Sequence, residues 1–169
     1  MKRALIFLTA PLLLQSLTAQ ERWVATWAAS PQAPRVIPAR PPQAAAAPNS
    51  AAQPAAPPPP LTAFNNQTVR MIAHVSLGGK RVRVHLSNAH GTAPLEIGSA
   101  HVAVRATDSE IMPGSDRKLT FGGRPSFKIP AGATVVSDLV ELDVAPLSDL
   151  AVSVYVPGET GPATTHALG

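Results

Sequence analysis

The stretch TVRMIAHVSLGGKRVRVHLS, residues 68–87, decides the fold class of this chain of 169 residues. Apolar and polar residues alternate on both sides of a central Gly-Gly pair, which is the period-2 pattern of strands with one buried face. Two glycines between such runs predict a tight β-hairpin. With Gly78 and Gly79 as its loop, three apolar pairs share one face: Val75 with Val82, Ala73 with Val84, and Met71 with Leu86. Burial of this stripe is expected to fix the register.

The residues that follow carry the same pattern in shorter runs. They predict strands at 97–105, 117–121, 126–129, 134–144 and 149–156. In the last run the even positions are predicted to face the core (Leu150, Val152, Val154, Val156) and the odd positions to face water (Asp149, Ala151, Ser153, Tyr155). Turn residues separate the runs at the spacing of a β-sandwich or barrel, and no helical pattern occurs after residue 61. The sequence therefore predicts an all-β domain at 61–169.

The first 19 residues have the three parts of a secretory signal peptide. Lys2 and Arg3 are a cationic start, residues 4–14 are an apolar run, and small residues lead to Ala19, the expected cleavage site. The apolar run is shorter than the about 20 residues that span a bilayer, so no permanent membrane anchor is expected. The chain has no cysteine for a lipid anchor, a disulfide or a thiolate metal site. We expect an exported protein, periplasmic or extracellular.

Residues 31–60 are rich in proline and alanine and end in four consecutive prolines. Such a segment cannot bury a core and is expected to be a semi-rigid spacer, or else a ligand for a domain that recognises polyproline helices. The net charge of +4 lies entirely in the first 60 residues, since nine basic and nine acidic residues follow residue 61. A neutral domain has no electrostatic footprint for phosphates, so nucleic-acid binding is not expected.

Residues 20–30 place Trp23 and Trp27 four positions apart, with β-branched residues between them. On strand periodicity Trp23, Ala25 and Trp27 share a face, so this segment is predicted to be a strand that packs on the domain. The alternative is that the two indoles form a platform for a sugar ligand.

No catalytic or metal-binding constellation emerges from the spacing of the residues. The Gly-x-Ser-x-Gly elbow of α/β hydrolases is absent, and so is a phosphate-binding glycine loop. His74 and His85 are diagonal neighbours in the predicted hairpin, but zinc needs three or four ligands and arginines flank both. Two carboxylate pairs, Asp138 with Glu141 and Asp108 with Glu110, are interpreted as surface charge rather than a glycosidase site. We therefore predict no catalytic residue, no cofactor and no metal ion.

Several blocks of sequence occur in a particular order. They are WVATWAASPQ at 23–32, FNNQTVR at 64–70, GGKRVRVHLSNAHG at 78–91, LTFGG at 119–123, IPAGA at 129–133, SD at 137–138, LAVSVYVP at 150–157 and TH at 165–166. In these blocks the chain resembles the N-terminal β domain of secreted SGNH/GDSL-type esterases. The resemblance covers nearly all of the chain between the signal peptide and its end, apart from the spacer.

The resemblance implies a jelly-roll-like antiparallel β-sandwich that normally precedes an α/β hydrolase domain. The family's nucleophile lies in a Gly-Asp-Ser block and its triad is completed by an Asp-x-x-His block, and neither block is present here. Residues 114–116 read Gly-Ser-Asp, which is the wrong order, and His166 has no aspartate three residues before it. Asn88 belongs to the Leu-Ser-Asn block and is not the family's oxyanion asparagine. Because Gly169 falls where the family's linker would begin, a truncated reading frame is expected.

The resemblance thus predicts a non-catalytic N-terminal accessory domain of an exported acyl-ester hydrolase, inactive alone. Its expected partner is an SGNH-type catalytic domain, and a carbohydrate or an acylated substrate is a further candidate. Four residues are candidates for ligand or interdomain contact: Trp23, Trp27, Tyr155 and His166. The alternative is a stand-alone extracellular carbohydrate-binding or adhesion module.

Overall fold

The strands follow the alternating pattern of the sequence, in a computed structural model that describes residues 22–30, 33 and 63–163. Ten strands occur there: β1 Gln67–Val75, β2 Gly79–Val82, β3 His85–Ser87, β4 Leu95–Ile97, β5 Ser99–Val104, β6 Arg117–Lys118, β7 Phe127–Ile129, β8 Thr134–Val136, β9 Val140–Val144 and β10 Ser148–Val156. These residues contain no helix, and hence none that could cross a membrane. The predicted all-β class is confirmed. The signal peptide and nearly all of the spacer lie outside the described residues.

The largest sheet has four antiparallel strands in the order β1-β10-β5-β6. The central strand, β10, pairs with β1 over nine residues and with β5 over six. The four even-numbered residues from Leu150 to Val156 in β10 are buried, as the alternation predicts. Ala151 on the opposite face is buried as well, because Ile72 and Ala103 flank it across the strands. The outer face of this sheet is therefore apolar at its middle row.

The other strands form three antiparallel pairs, β2–β9, β3–β8 and β4–β7. The core lies between these pairs and the four-stranded sheet, because both contribute residues to one buried cluster. Its most enclosed large side chains are Ile97, Leu119, Ile129, Val75 and Val102. The predicted strand at 134–144 is two strands, since the chain leaves the pairing at residues 137–139. That these layers make a jelly-roll-like sandwich stays a prediction.

The predicted hairpin at residues 68–87 is wrong. β1 pairs with β10 and β2 pairs with β9, so the chain crosses from the four-stranded sheet to a strand pair at residues 76–78. A two-residue hairpin loop needs a positive φ in its turn, and neither Gly78 nor Gly79 has one. Gly78 instead lets the β9 backbone approach closely, because a Cβ atom at residue 78 would lie 2.4 Å from the Val144 carbonyl oxygen. The predicted buried face is confirmed for Ala73 and Val75, but Met71 is 44% exposed, and the predicted pairing partners are wrong.

Candidate functional site

Asn88, which the resemblance assigns to the domain rather than to a catalytic site, ties three segments together. Its side chain is 8% exposed, and Nδ2 lies 2.9 Å from the carbonyl oxygen of Ala93 and 3.1 Å from those of Ile129 and Pro130. Its own carbonyl oxygen accepts hydrogen bonds from the backbone of Gly91 and Gly132. An amide engaged in this way holds loops and is not presented to a substrate.

The Ser137-Asp138 block has an equally structural role. Ser137 is 2% exposed, accepts a hydrogen bond from the Val84 backbone at 2.9 Å and donates one to the Asp138 carbonyl oxygen at 2.8 Å. The hydroxyl therefore bridges backbone groups at the point where β8 ends. A serine nucleophile needs an adjacent base, and backbone amides and carbonyls supply none.

Asp138 closes the Gly122-Gly123 turn. Its carboxylate accepts hydrogen bonds from Thr120 Oγ1 at 2.6 Å, from the Gly123 backbone at 2.8 Å and from the Gly122 backbone at 3.1 Å. The Thr120 hydrogen bond is the largest of several causes that lower the pKa of Asp138. A carboxylate with three donors and a lowered pKa is a poor general base, so the Asp138–Glu141 pair gains no support as a glycosidase site.

The outer face of the four-stranded sheet carries a charge cluster that the sequence reading missed. Asp149 accepts from Arg105 at 2.7 Å, and its other carboxylate oxygen lies 2.8 Å from His74 Nδ1. The hydrogen bonds from His74 and then Arg105 lower the pKa of Asp149. His74 thus lies opposite Asp149 and not beside His85, which is in a different strand pair. Within the described ranges no three histidine, aspartate or glutamate side chains converge as a metal site.

One row of this face brings serine, histidine and aspartate together. Ser153 on β10 is the cross-strand partner of His101 on β5, and His101 Nδ1 lies 2.9 Å from a carboxylate oxygen of Asp116. The Ser153 hydroxyl accepts a hydrogen bond from Arg70 Nε at 2.8 Å. No hydrogen bond joins Ser153 to His101 among the contacts of the described residues. The row lacks the serine-to-base contact of a triad.

The aromatic segment contacts the domain through Thr26. Thr26 Oγ1 donates to the Leu77 carbonyl oxygen at 2.9 Å and accepts from the Leu77 backbone at 2.7 Å. The Thr26 carbonyl oxygen accepts from the backbone of Ser76 at 3.2 Å and from its hydroxyl at 3.0 Å. Residues 22–30 nevertheless form no strand, which differs from the predicted docked strand. The Thr26 contacts with Ser76 and Leu77 hold this segment on the domain without the continuous backbone hydrogen bonding of a strand.

This docking forms an open cleft of about 520 Å³, which we call the Trp23 cavity. It lies between the aromatic segment and the corner from β1 to β2. It is lined by Arg22, Trp23, Val24, Thr26, Val75, Leu77, Gly78, Gly79, Lys80, Arg81, Val82, Arg83, Val144 and Leu150. The guanidinium carbon of Arg83 lies 4.5 Å from the centroid of the Trp23 ring, a cation–π contact that positions the indole.

The structure does not gather the four predicted contact residues at one place. Trp23 lines the cavity and is 41% exposed, while Trp27 is 51% exposed and is not part of the lining. The expectation that both indoles pack on the domain is therefore wrong. Tyr155 is on the outer face of the four-stranded sheet, where its hydroxyl donates to Asn66 at 2.7 Å. His166 lies outside the described residues.

The sequence reading also missed the cationic residues of the cavity, because it assigned them to the solvent face of a hairpin. The run KRVR at residues 80–83 was the available signal, since it follows the Gly-Gly pair directly. A scan against protein-family models and a search of curated proteins found no match to this chain. The relation to SGNH/GDSL-type esterases therefore stays a prediction from the sequence blocks.

Proposed function

We propose that this chain is a non-catalytic N-terminal accessory domain of an exported SGNH/GDSL-type acyl-ester hydrolase, with a jelly-roll-like sandwich fold. The observation that carries the proposal is that polar residues of the sequence blocks that carry the resemblance have structural roles. Asn88 ties loops together, and Ser137 and Asp138 close a strand end and a turn. These are the residue types that could otherwise be mistaken for an oxyanion hole or a nucleophile.

The role that fits such a domain is to pack beside a catalytic domain or to bring substrate to it. Ser137 is engaged in backbone contacts, and an all-β unit of this kind can add binding surface to a neighbouring catalytic domain. Export is part of the proposal, and it is supported by the cationic start and apolar run of the first 19 residues.

The reading frame downstream of the Gly169 codon tests the proposal. We expect the genomic sequence, read through any assembly break, to encode a Gly-Asp-Ser block followed by an Asp-x-x-His block. A verified stop codon with neither block in any frame nearby would contradict the accessory role and favour the second candidate.

The second candidate is a carbohydrate-binding or adhesion module, and the exposure of both indoles favours it. Trp23 and Trp27 present large aromatic surfaces to solvent, and such surfaces commonly stack on sugar rings. Retention of the purified chain on insoluble polysaccharides, compared with Trp27→Ala and Trp23→Ala variants, tests this function. Retention that neither substitution changes would contradict an aromatic platform.

A further inference from the structure

The Trp23 cavity has an excess of positive charge at its rim. Four of its lining residues are cationic: Arg22, Lys80, Arg81 and Arg83. No acidic side chain is part of the lining formed by the described residues. Glu141 is the cross-strand partner of Arg81, and Asp138 is close enough to Arg83 to feel its charge, so part of the excess is offset nearby. Lys80 and Arg22 contribute further positive charge on the same side.

The cavity presents both polar and apolar surface, and its exposed apolar side chains are Trp23, Val24 and Leu77. Val75, Val144 and Leu150 belong to the buried core, and all three also line the cavity. The Trp23 indole forms one wall, and the Gly78-Gly79 backbone, with no side chains to fill the space, forms another. The volume lies in the range of about 300–1,000 Å³ that is usual for small-molecule sites. A ligand that fits must therefore have both an apolar body and a negative charge.

We infer that the Trp23 cavity is a binding site for a carboxylate-bearing organic ligand with an apolar body. Guanidinium and ammonium groups at the rim would bind the carboxylate, and the valine, leucine and indole surfaces would cover the body. Inorganic phosphate would leave the apolar side chains of the lining without a contact, so a ligand with an apolar body fits the lining better. This inference goes beyond the proposed function and does not depend on it, since it rests on the cavity alone.

Two-dimensional ¹H–¹⁵N NMR of the purified chain tests the inference, with octanoate as the probe. The sequence contains only two tryptophans, so two indole N–H signals are expected, and Trp23→Phe and Trp27→Phe assign them. Octanoate should shift the Trp23 indole and the amides of residues 77–79 saturably, and leave the Trp27 indole nearly unmoved. Equal shifts of both indoles, or no saturation, would show that octanoate has no specific site here.

Two further ligands separate the contribution of the carboxylate to binding from that of the apolar body. Octanol lacks the carboxylate and acetate lacks the body, so each should bind at least tenfold more weakly than octanoate. If octanol binds as tightly as octanoate, the inference is refuted. Glucuronate carries a carboxylate on a polar body, so it should also bind more weakly than octanoate, and tighter binding of glucuronate would refute the requirement for an apolar body.

Charge-removing variants locate the carboxylate. We expect Lys80→Gln combined with Arg83→Gln to weaken octanoate binding about tenfold, because each removes a charged hydrogen-bond donor from the rim. Lys118→Gln combined with Lys128→Gln is the matched control, since it removes two exposed charges that do not line the cavity. Both positions of the double variant are exposed, so its spectrum should retain the dispersion of the wild-type fold. Unchanged octanoate affinity in a folded double variant would refute the binding of the carboxylate at this rim. The accessory role is tested separately, by the reading frame downstream of the Gly169 codon.

Discussion

Replacement of Asn88 by alanine is expected to lower the free energy of unfolding by about 2–4 kcal/mol. The magnitude follows from the contacts of Nδ2, which has two hydrogens and lies within 3.1 Å of three carbonyl oxygens. Ile129, which carries one of these oxygens, is fully buried. The buried Ile129 acceptor that loses its donor costs about 1–3 kcal/mol, and the loss of one part-buried hydrogen bond adds about 1 kcal/mol.

Urea denaturation, followed by circular dichroism, measures this loss as a shift of the midpoint at constant m-value. Asn65→Ala is the control, because Asn65 is exposed and a surface substitution of this kind should stay within about 0.5 kcal/mol of wild type. A loss below about 0.5 kcal/mol for Asn88→Ala would refute the view that this amide holds the loops together.

The Asn88→Asp variant adds a pH-dependent check on the same contacts. A carboxylate at this position would face three carbonyl oxygens without a proton to donate, so the charged form is penalised and the folded-state pKa is raised above about 3.9. The stability of this variant relative to wild type should therefore be highest below that value and decline as pH rises through the folded pKa. A deficit that is independent of pH would contradict this geometry.

Three further predictions concern glycine packing and acid stability. Gly91→Ala should lower the free energy of unfolding in urea by about 1–3 kcal/mol, because the new Cβ would lie 1.8 Å from Asn88 Oδ1. In an Asn88→Ala background the same substitution should be nearly neutral, and additive losses would contradict this. Gly78→Ala should cost about 1–3 kcal/mol and Gly79→Ala less than about 0.5, since only the first meets neighbouring backbone closely; equal losses would refute the corner geometry. Asp149 has a lowered pKa, so it contributes stability above about pH 3.9 that is lost as pH falls through that pKa. In Asp149→Asn the free energy of unfolding should therefore fall less steeply at acid pH, and an unchanged pH dependence would contradict this.

Local patterns predicted the strands well but could not predict their partners. The alternation in β10 identifies its buried face, because side-chain direction along a strand is set by neighbours in sequence. The pairing of β1 with β10 depends on contacts about 80 residues apart in the chain, which period-2 alternation does not encode. Gly78 and Gly79 were read as a turn because the spacing of glycines does not report φ or the approach of a distant backbone.

The same limit applies to the candidate site. Asp149, His74 and Arg105 meet only through the registers of three strands, so none of them stands out in the sequence. That Trp23 contacts a ligand or another domain stays a prediction, and its separation from Trp27 depends on where Thr26 docks.

The proposal that no serine among residues 22–30 and 63–163 is an activated nucleophile is tested most directly by reaction with a fluorophosphonate followed by intact-mass and peptide mass spectrometry. The reagent forms a stable adduct with a serine that an adjacent base activates. The account predicts an unmodified mass under conditions that fully label a serine esterase run in parallel, and no hydrolysis of short p-nitrophenyl esters. A stoichiometric adduct would contradict it, and an adduct on Ser153 in particular, lost in His101→Ala, would identify the serine, histidine and aspartate row as a working triad.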